Sequence, residues 1–277
     1  MSQFLKITIA CPQELQDMLI AELGLINYDS FQEFDNSVEA FIEEQIFNEN
    51  ALLKVLEKYK ISPNFNKDYL KNINWNEEWE KNFSPVYVDH KVQIRATFHE
   101  KTEDFGYDII INPKMSFGTG HHETTYLVVS EQLSISHINK RILDVGTGTG
   151  ILAIMAFKLG ATSITATDID DWCIENCLEN FNLNQVKNFD ILKGTIDKLT
   201  LPGDYDIIYA NINKNVLLSE LPIYSRLLAK KGILVLSGFY SEDIDDLSKN
   251  AVQNKLVYRH SKKKNNWAMI VLNHANA

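Results

Sequence analysis

What the chain lacks narrows its class first. Three cysteines, Cys11, Cys173 and Cys177, stand among 277 residues. An odd and small number excludes a disulfide framework and suits reduced thiols in a core. Cys173 and Cys177 share a face if that stretch is helical, but no histidine stands beside them at zinc-finger spacing. No apolar run approaches the roughly 20 residues that span a bilayer. Met1 to Lys6 carries no basic segment followed by a long apolar core, so no signal peptide is read and a cytoplasmic location is expected. A positive charge is also missing: the net charge is −10, which speaks against broad nucleic-acid binding. Residues 1–84 hold 7 Lys, no Arg and 15 Asp or Glu, so 7 − 15 = −8 lies in the first third. That is a solvated acidic surface or a docking face for a basic partner.

What is present is an ordinary globular composition, 45% hydrophobic and 23% charged, with chain enough for one large or two moderate domains. The organising stretch is Arg141 to Gly150, RILDVGTGTG. Ile142, Leu143 and Val145 read as a buried strand, and a helix opens at Ile151. Gly146, Gly148 and Gly150 allow a tight turn and a close approach to a ligand. The free N–H groups of the helix face that turn. The spacing is GxGxG rather than the GxGxxG of dinucleotide folds. Asp144 just before it suits a ligand with an ammonium group and would repel a pyrophosphate. S-adenosylmethionine is therefore favoured over NAD. Asp168 ends the next strand, 18 positions after Gly150, where a carboxylate can accept from both ribose hydroxyls. Capping of the following helix is the competing role.

In chain order, Phe4–Ala10 reads as a strand and Pro12 to Leu23 as a helix stopped by Gly24. Phe31–Phe34 and Val38–Glu44 read as paired strands and Glu49–Tyr59 as a helix, with a last strand near 69–73. This βαββα order predicts a small ferredoxin-like α+β sandwich. Trp75, Trp79 and Phe83 form one stripe on a short linker helix. Beyond it, strands and helices alternate. Asp144, Asp168, Thr195 and Asn211 all fall at strand ends, where a mostly parallel sheet binds its ligand. Val216 to Leu228 reads as a helix bent at Pro222, and Lys262 to Asn266 as a basic turn between two closing strands. A glycine-rich loop at 112–125 contains adjacent His121 and His122. Neighbours in sequence point differently and make a poor metal pair, so no metal is expected; His121 is taken as the site-lining ring.

Five segments carry a resemblance: MSFGTGHHETT (115–125), LDVGTGTGILAI (143–154), ATDIDDWCIENCLENFNLN (166–184), DIIYANI (206–212) and GILVLSGF (232–239). With the Trp75 to Pro85 pattern they make the chain similar to class I S-adenosylmethionine-dependent methyltransferases. More narrowly it resembles the PrmA family, which methylates large-subunit ribosomal protein L-eleven (L11). The first 70 residues match only in size and element order. The resemblance implies an α/β, Rossmann-like, seven-stranded domain over 86–277. A ferredoxin-like substrate-recognition domain (1–70) and a linker helix (71–85) would precede it. It implies cofactor contacts at Thr125, Gly146, Asp168 and Asn211, beside Asp144, Gly148 and Thr195 from the reading above. It places Phe117 and His121 near the methyl-transfer site. There Asn211 or a nearby backbone carbonyl would orient an acceptor amine, and His121 would accept or relay a proton. Lysine or N-terminal amines of L11 are the expected acceptors. A monomer is expected, with neither nucleic acid nor membrane as a partner. Trp172, Cys173 and Ser116 stand where the family has other, smaller residues. Asn211-Ile212-Asn213 lacks the NPP[YF] of glutamine and adenine methyltransferases, which favours an amine. The alternatives are a class I methyltransferase for another protein or small molecule, and a NAD(P)-dependent oxidoreductase.

Overall fold

The computed structural model describes residues 4–69, 83–114 and 116–275. Two compact units divide at Phe83 and Ser84. The expected linker helix and its tryptophan stripe lie for the most part outside the described residues.

The first unit runs β1 (Phe4–Ala10), α1 (Gln13–Leu25), β2 (Ser30–Phe34), β3 (Ser37–Glu43), α2 (Glu49–Lys58) and β4 (Phe65–Tyr69). Its sheet order, β2-β3-β1-β4, is antiparallel throughout and is the ferredoxin-like arrangement. Alternation puts Leu5, Ile7 and Ile9 on one face with Val38, Ala40 and Ile42. They pack under Leu19 and Leu23 of α1 and Leu52 and Leu56 of α2. Two expectations shift here. Gly24 does not stop α1; the helix continues to Leu25. It closes through Asn27 in the left-handed region (φ 68), with Tyr28 N–H donating to Leu23 and Asn27 N–H to Gly24, a Schellman end in which Asn does the work of Gly. The last strand lies at Phe65–Tyr69, where it pairs with β1, rather than at 69–73.

The second unit opens with β5 (Val86–Val88), β6 (Val92–Arg95) and β7 (Tyr107–Ile110) in a three-stranded sheet. Then come α3 (Glu123–Gln132), β8 (Arg141–Val145), α4 (Ile151–Lys158), β9 (Ser163–Asp168), α5 (Asp171–Leu183), β10 (Phe189–Lys193), β11 (Tyr205–Asn211) and α6 (Lys214–Leu227). β12 (Leu228–Tyr240), α7 (Ile244–Gln253), β13 (Leu256–Lys264) and β14 (Trp267–His274) complete it. The large sheet has seven strands in the order β10-β9-β8-β11-β12-β14-β13. All neighbours from β10 to β12 are parallel, and the last two pairings are antiparallel. From β8 the chain moves outward to β9 and β10, then returns to the other side at β11. That reversal opens a crevice at the carboxyl ends of β8 and β11. Ile142, Leu143 and Val145 are buried, as a strand covered on both faces requires. α6 runs unbroken through Pro222. The expected basic turn is mostly strand: β13 extends to Lys264, because Lys262 and His260 pair with the buried Glu131 of α3, at 3.0 and 3.1 Å. No helix among the described residues is long and apolar enough to cross a membrane.

The site is positioned by asparagines rather than by a strand. Asn176 and Asn180 of α5 and Asn184, its C-cap, recur every four residues and share one face. Asn184 closes a pair with Ile110, accepting from its N–H (3.0 Å) and donating to its carbonyl (2.6 Å). Asn180 accepts from Asn112 N–H and donates to Thr149 O, both at 2.8 Å. Asn176 donates to Asn112 O (3.1 Å). The chain leaving β7 is thus zipped to a helix, and the same helix grips the glycine turn. Asn180 is fully buried. Asn180→Ala leaves Asn112 N–H and Thr149 O without partners and should cost about 2–4 kcal/mol. Urea denaturation checks this; a loss below about 1 kcal/mol would refute the clamp.

Candidate active site

Gly146, Gly148 and Gly150 have φ of 67, 53 and 83, and each lies against something. A Cβ on Gly146 would come 2.2 Å from Ile212 Cγ2, and one on Gly148 2.3 Å from the Phe117 carbonyl oxygen. The turn is therefore glycine both for its backbone angles and for the loops that press on it. Thr149 ties the second loop down: its N–H donates to Phe117 O (2.9 Å) and its hydroxyl to Gly118 O (2.6 Å). Gly238, at the bulge of β12, does the same on the other side, its absent Cβ leaving room for Ile212 O at 2.3 Å.

Between these loops lies a cavity of about 440 Å³ at the carboxyl ends of β8 to β11, a size suited to a small-molecule cofactor. Of the residues expected at the site, Phe117, Gly146, Gly148, Asp168, Thr195 and Asn211 line it. Asp168 is held by the Gly148 N–H on Oδ2 (2.9 Å) and the Asp170 N–H on Oδ1 (3.2 Å), with lone pairs left for ribose hydroxyls. Asn211 Oδ1 and Thr195 Oγ1 are buried without hydrogen-bond partners, and such atoms await a ligand or water. Phe117 stands 52% exposed at the mouth.

Three expected residues are not on the cavity lining. Thr125 is wholly buried in the first turn of α3, its hydroxyl unpartnered. Asp144 is buried beneath the turn, accepting from the Thr147 hydroxyl at 2.7 Å; burial pushes its carboxyl up to about 7 against that hydrogen bond. His121 is engaged with Ser84 O at 2.9 Å. The ring beside Phe117 is His122, 5.1 Å centre to centre and edge-on; neither histidine is on the cavity lining. Thr124 N–H donates to His122 Nδ1 (3.2 Å), which caps α3 and leaves the neutral ring's proton on Nε2.

Sequence reasoning missed Ile212, Val216 and Glu220, which also line the cavity; a helix following a strand end gives no signal for which of its faces meets a ligand. Trp172, larger than the residue the family resemblance leads one to expect, lines the cavity at 56% exposure. Asp168, Asp170 and Cys173 bring donor atoms within 4.8 Å of one another, the one such group among the described residues. Burial raises the Cys173 thiol, so that wall presents carboxylates rather than a thiolate.

The strand order, the glycine turn at the reversal point and the acid closing the next strand define a class I, Rossmann-like methyltransferase, with S-adenosylmethionine as the methyl donor. The family model for ribosomal protein L11 methyltransferase (PrmA) matches residues 6–275, and the chain belongs to that family. A ribosomal protein L11 methyltransferase of Bacteroides thetaiotaomicron is 39% identical over 95% of both chains. One from Porphyromonas gingivalis is 42% identical over 92% of this chain and 89% of its own. The crystal structure of a ribosomal protein L11 methylase from Lactobacillus delbrueckii subsp. bulgaricus superposes with a TM-score of 0.64 at 26% identity, covering 69% of this chain and 99% of that one.

The buried Asp144 gives a pH signature. Its folded pKa lies above the unfolded value of about 3.9, so its contribution to stability is full below about pH 4 and is lost as pH rises through about 7. Asp144→Asn should remove that part of the slope. Between pH 4.5 and 7.5 the variant should lose at least about 1 kcal/mol less stability than the parent. Identical slopes in denaturant titrations would refute the raised carboxyl.

Proposed function

We propose that this chain transfers methyl groups to amines of ribosomal protein L11, lysine side chains or the N-terminal amine. Its relatives are named for methylating that protein. The observation that carries the amine reading is the unpartnered amide oxygen of Asn211, lining the cavity with Phe117.

S-adenosylmethionine, when bound, supplies an electrophilic methyl on a sulfonium, and the protein contributes alignment and exclusion of water. Asp168 would hold the ribose and Gly146 and Gly148 would let the backbone come close. Asp144 and Thr125, the buried groups off the lining, would back the amino-acid end. Asn211 would accept an N–H of the incoming amine and aim its lone pair. A lysine has a pKa of about 10.4 and must shed a proton before it attacks. An amide oxygen among apolar groups favours the neutral amine over the ammonium more than a carboxylate would. His122, its Nε2 carrying a proton when neutral, orients polar groups near Phe117 rather than serving as a base in that state.

The first 70 residues would recognise the substrate. Ribosomal proteins are basic, and the −8 of residues 1–84 would speed their encounter with this chain. The reading is of a monomeric, cytoplasmic enzyme that acts on protein.

The test is incubation with methyl-labelled S-adenosylmethionine and ribosomal proteins from a strain lacking the enzyme, followed by mass mapping. Label should fall on L11 amines. Asn211→Ala should lower kcat by about a hundredfold while changing S-adenosylhomocysteine affinity far less, the pattern of a lost transition-state contact. Label on RNA, or on no protein, would overturn the reading.

A further inference from the structure

A second cavity, of about 480 Å³, lies at the other end of the large sheet. Leu228, the first residue of β12, lines it, whereas the cofactor cavity lies at the carboxyl ends of the parallel strands. α6 reaches both. Val216 near its start lines the cofactor cavity, and Ser225 and Arg226 at its end line this one. Its 14 residues span about 20 Å, so the two cavities are separate. Three segments bring basic groups to the second: Arg226 from α6, Lys255 after α7 and His274 at the end of β14. No acidic residue is on its described lining, in a chain whose net charge is −10. Among the described residues neither Arg226 nor Lys255 has an ion pair or a side-chain hydrogen bond. The amides of Gln253 and Asn254 add neutral donors.

Helix capping accounts for only one of these cations. Arg226 stands in the last turn of α6, where a positive charge offsets the helix dipole. Lys255 has no such duty. The carbonyls of Asn250, Ala251 and Val252 at the end of α7 already accept from Asn254 Nδ2, Asn254 N–H and Lys255 N–H, at 2.9, 2.9 and 3.1 Å. The Lys255 backbone is also left-handed, with φ 60, where glycine or asparagine is less strained than lysine. What lysine adds at that position is its ammonium. A guanidinium fork and an ammonium over one cavity suit an oxyanion: the fork takes two oxygens and the ammonium supplies a point charge. The negative ends of the two helices oppose an anion, but more weakly than two charge-assisted hydrogen bonds attract it. We propose that this cavity binds the phosphate or diphosphate group of a small molecule between Arg226 and Lys255. Its volume is that of a small-molecule site. The cofactor cavity would repel the same group, since its charged lining residues are all carboxyl groups.

The test fills the cofactor cavity first. The full chain, saturated with S-adenosylhomocysteine, is titrated calorimetrically at low salt with pyrophosphate and with ADP. Pyrophosphate should bind with a Kd of about 1 mM or tighter. Equal affinity for ADP shows that the phosphates alone are read, and ADP binding about tenfold tighter shows a nucleotide as the ligand class; either supports the site. Arg226→Ala and Lys255→Gly should each weaken pyrophosphate at least about tenfold, the loss of a charge-assisted hydrogen bond. Lys255→Gly suits the left-handed backbone, so its loss of binding does not come from misfolding. Lys263→Ala removes an exposed lysine of β13 that is off the lining, and should change the affinity less than about twofold. No binding of either anion up to about 10 mM would overturn the proposal. So would wild-type affinity in both cavity variants, or an equal loss in Lys263→Ala, which would mean diffuse attraction. Binding of an RNA oligonucleotide with neither small anion bound would also overturn it.

Discussion

Asn180 is the point on which the site depends. Its single side chain holds the chain leaving β7 and the glycine turn after β8, through Asn112 N–H and Thr149 O. The backbone of Thr149 then holds Phe117, and its hydroxyl holds Gly118. Three segments far apart in sequence, the 112–118 loop, the glycine turn and α5, are therefore fixed by one amide and one threonine. Neither α5 nor the loop at 116–122 could place Phe117 alone. A loop carries no ladder of its own, so its backbone groups must find side chains or water. Here the asparagines of one helix face serve as the missing strand.

The glycine turn takes its shape from the same crowding. The absent Cβ of Gly148 leaves room for Phe117 O, that of Gly146 for Ile212, and that of Gly238 for the Ile212 backbone. Two loops close on the turn, at Phe117 and at Ile212, and the bulge at Gly238 backs the second. Steric exclusion therefore does two jobs. It fixes where the loops stop, and it holds Phe117 O and Ile212 against the turn. Beneath it, the buried Asp144 and Thr147 form a polar floor.

Strand ends and glycines were legible because their chemistry is local. Asp168, Thr195 and Asn211 close strands of alternating β and α elements, and all three line the cavity. Which of His121 and His122 would pack on Phe117 was not legible. Adjacent residues differ in direction by backbone angles that only the cap of α3 decides, and there Thr124 draws in His122. Lys262 to Lys264 read as a turn because three lysines look solvated. The buried Glu131, more than a hundred residues earlier, makes strand the better state for them. Asn176, Asn180 and Asn184 gave no warning either, since asparagine in a helix signals nothing until its partner chain is known. Gly24 misled for the opposite reason: a glycine near a helix end is a strong stop signal, yet Asn27 adopts the left-handed turn instead.

The charges around the cavity follow a division of labour consistent with amine methylation. The charged residues on the lining are all carboxyl groups: Asp168 and Asp170 after β9, and Glu220 on α6. Under the reading proposed above the acceptor would meet Phe117, Asn211 and Ile212, none of them charged, with the His122 ring against Phe117. A carboxylate beside the acceptor would bind lysine well, but as the ammonium, whose lone pair is spent. It would stabilise the ground state and raise the barrier to attack. An amide oxygen binds more weakly and penalises the neutral amine less. If the acidic first unit supplies the attraction for a basic protein, the acceptor side needs none of its own. The long-range charge would then bring the substrate in, and the uncharged groups at Asn211 and Phe117 would let its amine react.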